Sequence, residues 1–99
     1  MTAIGAGGVS ITSIKFSSKF QKQFKKIPPE IEKLVPEKLK DLLKNPFPSG
    51  LKFEKLKGCN KPDIYTIHVT GNYKISMEIE GDTAILRRIG NHNDIDRTP

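Results

Sequence analysis

The sequence predicts an α+β domain, and three observations carry that prediction. From Leu51 onward apolar residues recur at every second position, the period of a half-buried strand. Between residues 19 and 44 they recur at three- and four-residue intervals, the period of a helix with one buried face. A further alternating stretch, Ser10 to Phe16, precedes the helices. The expected order is an N-terminal strand, two helices, then a twisted antiparallel sheet of three to four strands, a sandwich of sheet and helices. At 99 residues the chain has room for one modest core. Residues 11–99 are therefore read as a single domain. The Gly-rich stretch 1–10 is read as a flexible leader, because it lacks the charged start and apolar run of a signal peptide.

In the first strand Ile14 and Phe16 share a face. Ser17 or Ser18 can cap the first helix by accepting a bond from a free amide of its first turn. That helix, Lys19 to Ile27, presents Phe20, Phe24 and Ile27 to the core and lysines elsewhere. Pro28 and Pro29 end it, and Pro29 serves as an early position of the next helix, where a missing donor costs little. The second helix, about 29–44, is expected to bury Ile31, Leu34, Val35, Leu39, Leu42 and Leu43, with a kink or break at Pro36. Asn45 to Gly50 is a stop and loop. Phe53 and Leu56 begin an extended segment, and Lys57 to Pro62 forms a loop.

Ile64 to Met77 then reads as a hairpin turning at Thr70-Gly71-Asn72. Tyr65, Ile67, Val69, Tyr73, Ile75 and Met77 fall on its apolar face. Thr66, His68, Asn72, Lys74 and Ser76 fall on the other, which is expected to be open. A Gly81-Asp82 turn leads into a last strand, Thr83 to Ile89, ended by Gly90 and followed by a polar tail. By strand parity Arg88, Gly90 and His92 share a side and Arg87 faces away. Two histidines and several cations gathered on one sheet face point to phosphate handling.

Charge is unevenly spread. Residues 1–57 hold twelve lysines against five acids, whereas residues 58–99 hold five cations against six acids. A basic helical half fits nucleic acid or an acidic protein partner; it also fits a solvated lysine face. No apolar run is long enough for a membrane span. The single cysteine, Cys59, rules out an internal disulfide and fits a reducing cytoplasm. As a lone thiol Cys59 has no metal partners nearby, and neither a metal nor a small-molecule cofactor is expected.

Five pieces, taken in order, resemble the RelE/ParE superfamily of toxins encoded beside an antitoxin in prokaryotic type II modules. They are Lys25 to Ile31, Leu42 to Phe47, Leu56 to Gly58, Tyr65 to Tyr73, and Arg88 to His92, and the resemblance as a whole covers roughly residues 11–96. Within the superfamily the chain is most similar to the YafQ-like ribonuclease branch. That branch has a histidine before the hairpin turn, an acid four residues on, and a histidine near the C-terminus. The matching positions here are His68, Asn72 and His92, with Asn72 standing where the branch has an acid. A further polar residue of the family, before the Leu-x-Gly step, falls on Glu54. The aromatic often found after the last histidine is replaced by Ile95 and Asp96.

The resemblance implies a RelE-like fold and a ribosome-associated mRNA endonuclease. RNA carries its own nucleophile, the 2′-hydroxyl, so cleavage needs a base, an acid and cations over the phosphate. His92 is the candidate acid, and His68 or Glu54 the candidate base. Asn72 would orient a group, and Lys74 and Arg88 would hold the phosphate. A cognate antitoxin, the ribosome and mRNA are the implied partners. Two other functions share the fold: a gyrase-binding toxin of the ParE kind, and an inactive member acting with its antitoxin in repression.

Overall fold

The computed structural model describes residues 10–44, 47–60 and 63–99. The expected leader up to residue 9, Asn45 and Pro46 of the stop, and Lys61 and Pro62 of the expected loop lie outside the described residues. So do the side chains of Ser49 and of residues 57–60, including Cys59.

The chain opens with β1 (Ser13–Phe16). Ser17 is the N-cap that follows; its Oγ accepts from the Phe20 amide at 3.0 Å, starting α1 (Ser18–Phe24). Pro28 caps α2 (Pro29–Glu32), and Pro29 takes its first position as expected. The long second helix of the sequence reading is in fact two. Pro36 cannot donate to the carbonyl of Glu32 and its ring collides with it, so the helix stops at Glu32. The chain turns through Lys33 and Leu34 and restarts as α3 (Val35–Leu42), with Pro36 in its first turn. The restart changes which leucines are buried. Val35, Leu39 and Leu42, at i, i+4 and i+7, face inward, while Leu34 and Leu43 fall off that stripe and are exposed, against expectation.

A single turn of 3-10 helix at Ser49–Leu51 leads to β2 (Glu54–Asn60) and β3 (Asp63–His68). β2 runs through Lys57 to Asn60, residues expected in a loop, with a register slip between Lys55 and Asn60. β4 (Tyr73–Glu80) and β5 (Thr83–Asn91) complete the sheet. The expected polar tail is instead a helix, α4 (His92–Arg97). The strand order is β1-β5-β4-β3-β2, antiparallel except for β1, which pairs parallel to β5.

The β3–β4 turn lies where expected. The Val69 amide donates to the Tyr73 carbonyl at 2.8 Å, and the Thr70 hydroxyl accepts from the Asn72 and Tyr73 amides. At the β4–β5 turn Gly81 takes φ +64°, which a side chain would resist.

Helices α1–α3 cover one face of the sheet. There Phe20, Ile31, Val35 and Leu42 meet Ile67, Val69, Ile75, Met77, Ala84, Leu86 and Ile89. Each large side chain so buried contributes about 1.5–3 kcal/mol. Tyr65 packs against this core as the last of a stack with Phe53 and Phe47, at ring separations of 5.3 and 4.6 Å. Ile64 and Ile95 are as buried but lie outside that cluster, on the opposite face.

One irregularity in β5 decides what that opposite face carries. Ser76 pairs with Arg88 and Met77 with Leu86, leaving Arg87 as an extra residue in a β-bulge. Alternation holds on either side of the bulge but not across it: Ala84 and Leu86 face the core, and so does Ile89. The parity argument that turned Arg87 away from Arg88 is thereby overturned; both guanidiniums reach the same stretch of chain, Thr98 and Pro99.

Candidate functional site

The face away from α1–α3 is assembled from two cross-strand rows. In one, Glu54, Thr66, Ser76 and Arg88 stand on neighbouring strands; in the next, His68 pairs with Lys74 and Lys74 with Gly90. Residues directly opposite in such pairs have Cβ atoms about 4.5–5.5 Å apart. Four of the six residues singled out from the sequence, Glu54, His68, Lys74 and Arg88, therefore share this face.

The face is not open, as the alternation alone implied. α4 crosses it, held at its start by the Asn91 side chain, which accepts from the Asp94 amide at 3.0 Å. Ile95 is its buried anchor, 3.7 Å from where a Cβ on Gly90 would sit, so the glycine leaves room for the helix. Thr66, Lys74 and Ser76 are buried under this cover.

Lys74 is the centre of the arrangement. Only 6% exposed, its Nζ lies 2.8 Å from Asp96 Oδ1 and 3.7 Å from Glu54 Oε1. A buried ammonium needs such partners, because an unpaired charge removed from water costs several kcal/mol. Both carboxylates are partly exposed, so the pairs have one wet side. Asp96 was read from the sequence only as the replacement of an aromatic. The signal that would have found it is the capping pattern Asn91-x-x-Asp94 followed by the lone apolar Ile95.

His92 and Asn72 meet through the backbone. His92 is the first residue of α4, and its amide donates to the Asn72 carbonyl at 2.6 Å, tying the hairpin turn to the helix start. Both histidines are half-buried. Arg88 donates through Nη1 to the Thr98 carbonyl, while its Nε is buried with no acceptor among the described residues. Arg87 pairs with Glu78 and donates from Nε to the main-chain oxygen of Pro99 at 3.3 Å, and the Ser76 hydroxyl donates to the same oxygen at 3.0 Å. Chemically the face offers the His68 imidazole, an ammonium flanked by carboxylates, and two guanidiniums, while His92 is tied to it through its backbone bond to Asn72. That set suits an anion that exchanges protons. Among the described residues no three His, Cys, Asp or Glu side chains gather as a metal site.

A sheet backed by helices on one face and crossed by a short C-terminal helix on the other is a fold whose likeness is found among solved toxin chains. A chain of the Escherichia coli DinJ-YafQ toxin-antitoxin complex superposes with a TM-score of 0.69 at 20% identity, covering 86% of this chain and 98% of that one. YafQ from E. coli strain BL21(DE3) gives 0.63 at 18% identity, covering 84% and 96%. A chain of the RelB-RelE antitoxin-toxin complex from Methanococcus jannaschii gives 0.67 at 32% identity, covering 86% and 99%. No family model matches. Toxin RelE3 of Methanocaldococcus jannaschii is 33% identical over 78 residues, 77% of this chain and 85% of that protein. The chain belongs to the RelE family of toxins, whose fold the YafQ structures share.

Proposed function

We propose that this toxin is an mRNA endonuclease that acts on message at the ribosome and thereby inhibits translation. The observation that carries the reading is the pairing of His68 with Lys74 across β3 and β4, with Arg88 on the same face. A proton-transfer group then lies beside cations suited to a phosphate. Attack by the 2′-hydroxyl supplies the nucleophile from the substrate itself. His68 or Glu54 takes the hydroxyl proton, His92 protonates the departing 5′-oxygen, and Asn72 orients a neighbouring group by hydrogen bond. Lys74 and Arg88 hold the phosphate and stabilise the added negative charge of the transition state. Histidine suits both proton roles, and each such transfer is worth about 10²–10⁴-fold. An antitoxin is the natural partner, since relatives are held in toxin-antitoxin complexes and the lysine-rich helices invite an acidic segment.

A second reading is favoured by one observation: the charge of Lys74 is already met by Asp96 and Glu54. On that reading the fold binds without cutting, either as a gyrase-binding toxin or with its antitoxin in repression. Primer extension on mRNA from cells expressing the wild type and His92→Ala separates the two. Codon-spaced cuts are expected from the wild type and a loss of at least about 100-fold from the variant. Cuts that persist in His92→Ala would remove its proton-transfer role, and cuts from neither protein would leave the binding reading.

A further inference from the structure

The two cations assigned to the phosphate, Lys74 and Arg88, are already met by one stretch of the chain itself. Asp96 Oδ1 lies 2.8 Å from Lys74 Nζ, and the Thr98 carbonyl accepts from Arg88 Nη1. Beside them the main-chain oxygen of Pro99 accepts from the Ser76 hydroxyl at 3.0 Å and from Arg87 Nε at 3.3 Å. Residues 96–99 thus run across the donors of the site and supply each with an oxygen. Lys74 is only 6% exposed, so a phosphodiester cannot meet its ammonium while the Asp96 carboxylate is there. The carboxylate itself is 44% exposed and follows Ile95, the buried anchor of α4. It can therefore swing out while Ile95 stays seated and the His92 amide stays on the Asn72 carbonyl. What holds it in place is the cost of leaving. With Asp96 gone, Lys74 keeps only Glu54 at 3.7 Å among the described residues, and a buried ammonium so weakly paired is unfavourable. The carboxylate leaves when another anion replaces it.

We infer that residues 96–99 form an autoinhibitory strap, in which the Asp96 carboxylate stands in for the substrate phosphate on Lys74 and RNA binds by displacing it. The inference rests on the endonuclease reading for the identity of the displacing anion. A carboxylate and a phosphodiester each carry one negative charge and each accept charge-assisted hydrogen bonds, so the exchange leaves Lys74 paired throughout. Arg88 meanwhile trades a neutral carbonyl for a charged oxygen. The apparent affinity for RNA is lowered by the fraction of molecules whose strap is open. The neutralised Lys74 and the same Lys74 set beside His68 then belong to the closed and open forms of one site.

The test is binding of a single-stranded 2′-O-methyl RNA, which cannot be cut, measured by fluorescence anisotropy. Asp96→Asn keeps the shape of the side chain and removes its charge, and should bind about tenfold tighter than the wild type. Glu80→Gln removes an equal charge from an exposed residue about 20 Å along β4 from Lys74, beyond the screening length, and should stay within about threefold of the wild type. Asp96→Asn binding no tighter than Glu80→Gln, or no binding by either the wild type or Asp96→Asn, overturns the strap. A second readout needs no variant: saturating the wild type with the same RNA should speed amide exchange at Thr98, whose N–H bonds to the Asp94 carbonyl at 2.9 Å. Slower exchange there would place the RNA on top of the strap and overturn it. Cutting of ordinary RNA, followed in parallel, tests the other reading separately. A tenfold gain in binding without cutting by any of the three proteins keeps the strap and removes the endonuclease reading; cutting without that gain does the reverse.

Discussion

Thr66 carries a hydroxyl with nowhere to go. The residue is fully buried on the α4 side of the sheet and its Oγ1 has no hydrogen-bond partner among the described residues. A buried, unsatisfied polar group costs about 1–3 kcal/mol. Thr66→Val keeps the branched shape and removes the cost, so it should stabilise the protein by about 1 kcal/mol in a urea titration. A lower midpoint would show that the hydroxyl has a partner. Lys74, two rungs away by register, is the opposite case: a buried cation kept tolerable by Asp96 and Glu54. Which residues share this face was legible from alternation, and so was the turn at Thr70 to Asn72. That the face is covered was not, because alternation reports which side a residue takes and not what lies over it. The bulge was equally hidden. One extra residue at Arg87 leaves no mark on composition or period until the partner strand is known.

At the scale of elements, α4 is small and depends on one anchor. Ile95 is the only large apolar side chain between His92 and Arg97, and it is fully buried. Losing such a side chain costs about 2–5 kcal/mol where the surroundings do not collapse. For a six-residue helix at the chain's edge the cost falls on its docking rather than on the whole fold. Ile95→Ala should therefore raise amide hydrogen exchange in α4 by at least tenfold while β4 and β5 stay protected. Protection retained in α4 would mean that the Lys74–Asp96 pair and the Asn91 cap hold the helix without Ile95. The helix escaped the sequence reading because a polar hexapeptide has too few apolar positions to show a period. The break before α3 was half legible: Pro36 announced it, but its position four residues after Glu32 is what fixed the stop.

For the whole molecule, stability sits in the core beneath α1–α3. Leu86, fully buried in β5 between β1 and β4, is central to it. Leu86→Ala should cost about 3 kcal/mol and lower Tm by more than about 10 °C, with all elements melting together in a circular-dichroism scan. A melt in which α1–α3 and the sheet separate would show two units instead. This core was readable almost entirely from periodicity, Leu34 and Leu43 excepted, because burial on a regular element follows its period. The parallel pairing of β1 with β5 was not, since it joins residues 70 apart, Ser13 with Thr83. That pairing also sets an order of events in synthesis. Among the described residues β1 has no other neighbour in the sheet, and Ser17 and Gln23, flanking and within α1, bond to β5 at Leu86, Arg87 and Ile89. At about 5–20 residues per second, β1 waits about 4–14 s for β5. A nascent chain therefore cannot seat β1 in the sheet until β5 has been made, so the edge of the sheet stays open for that interval.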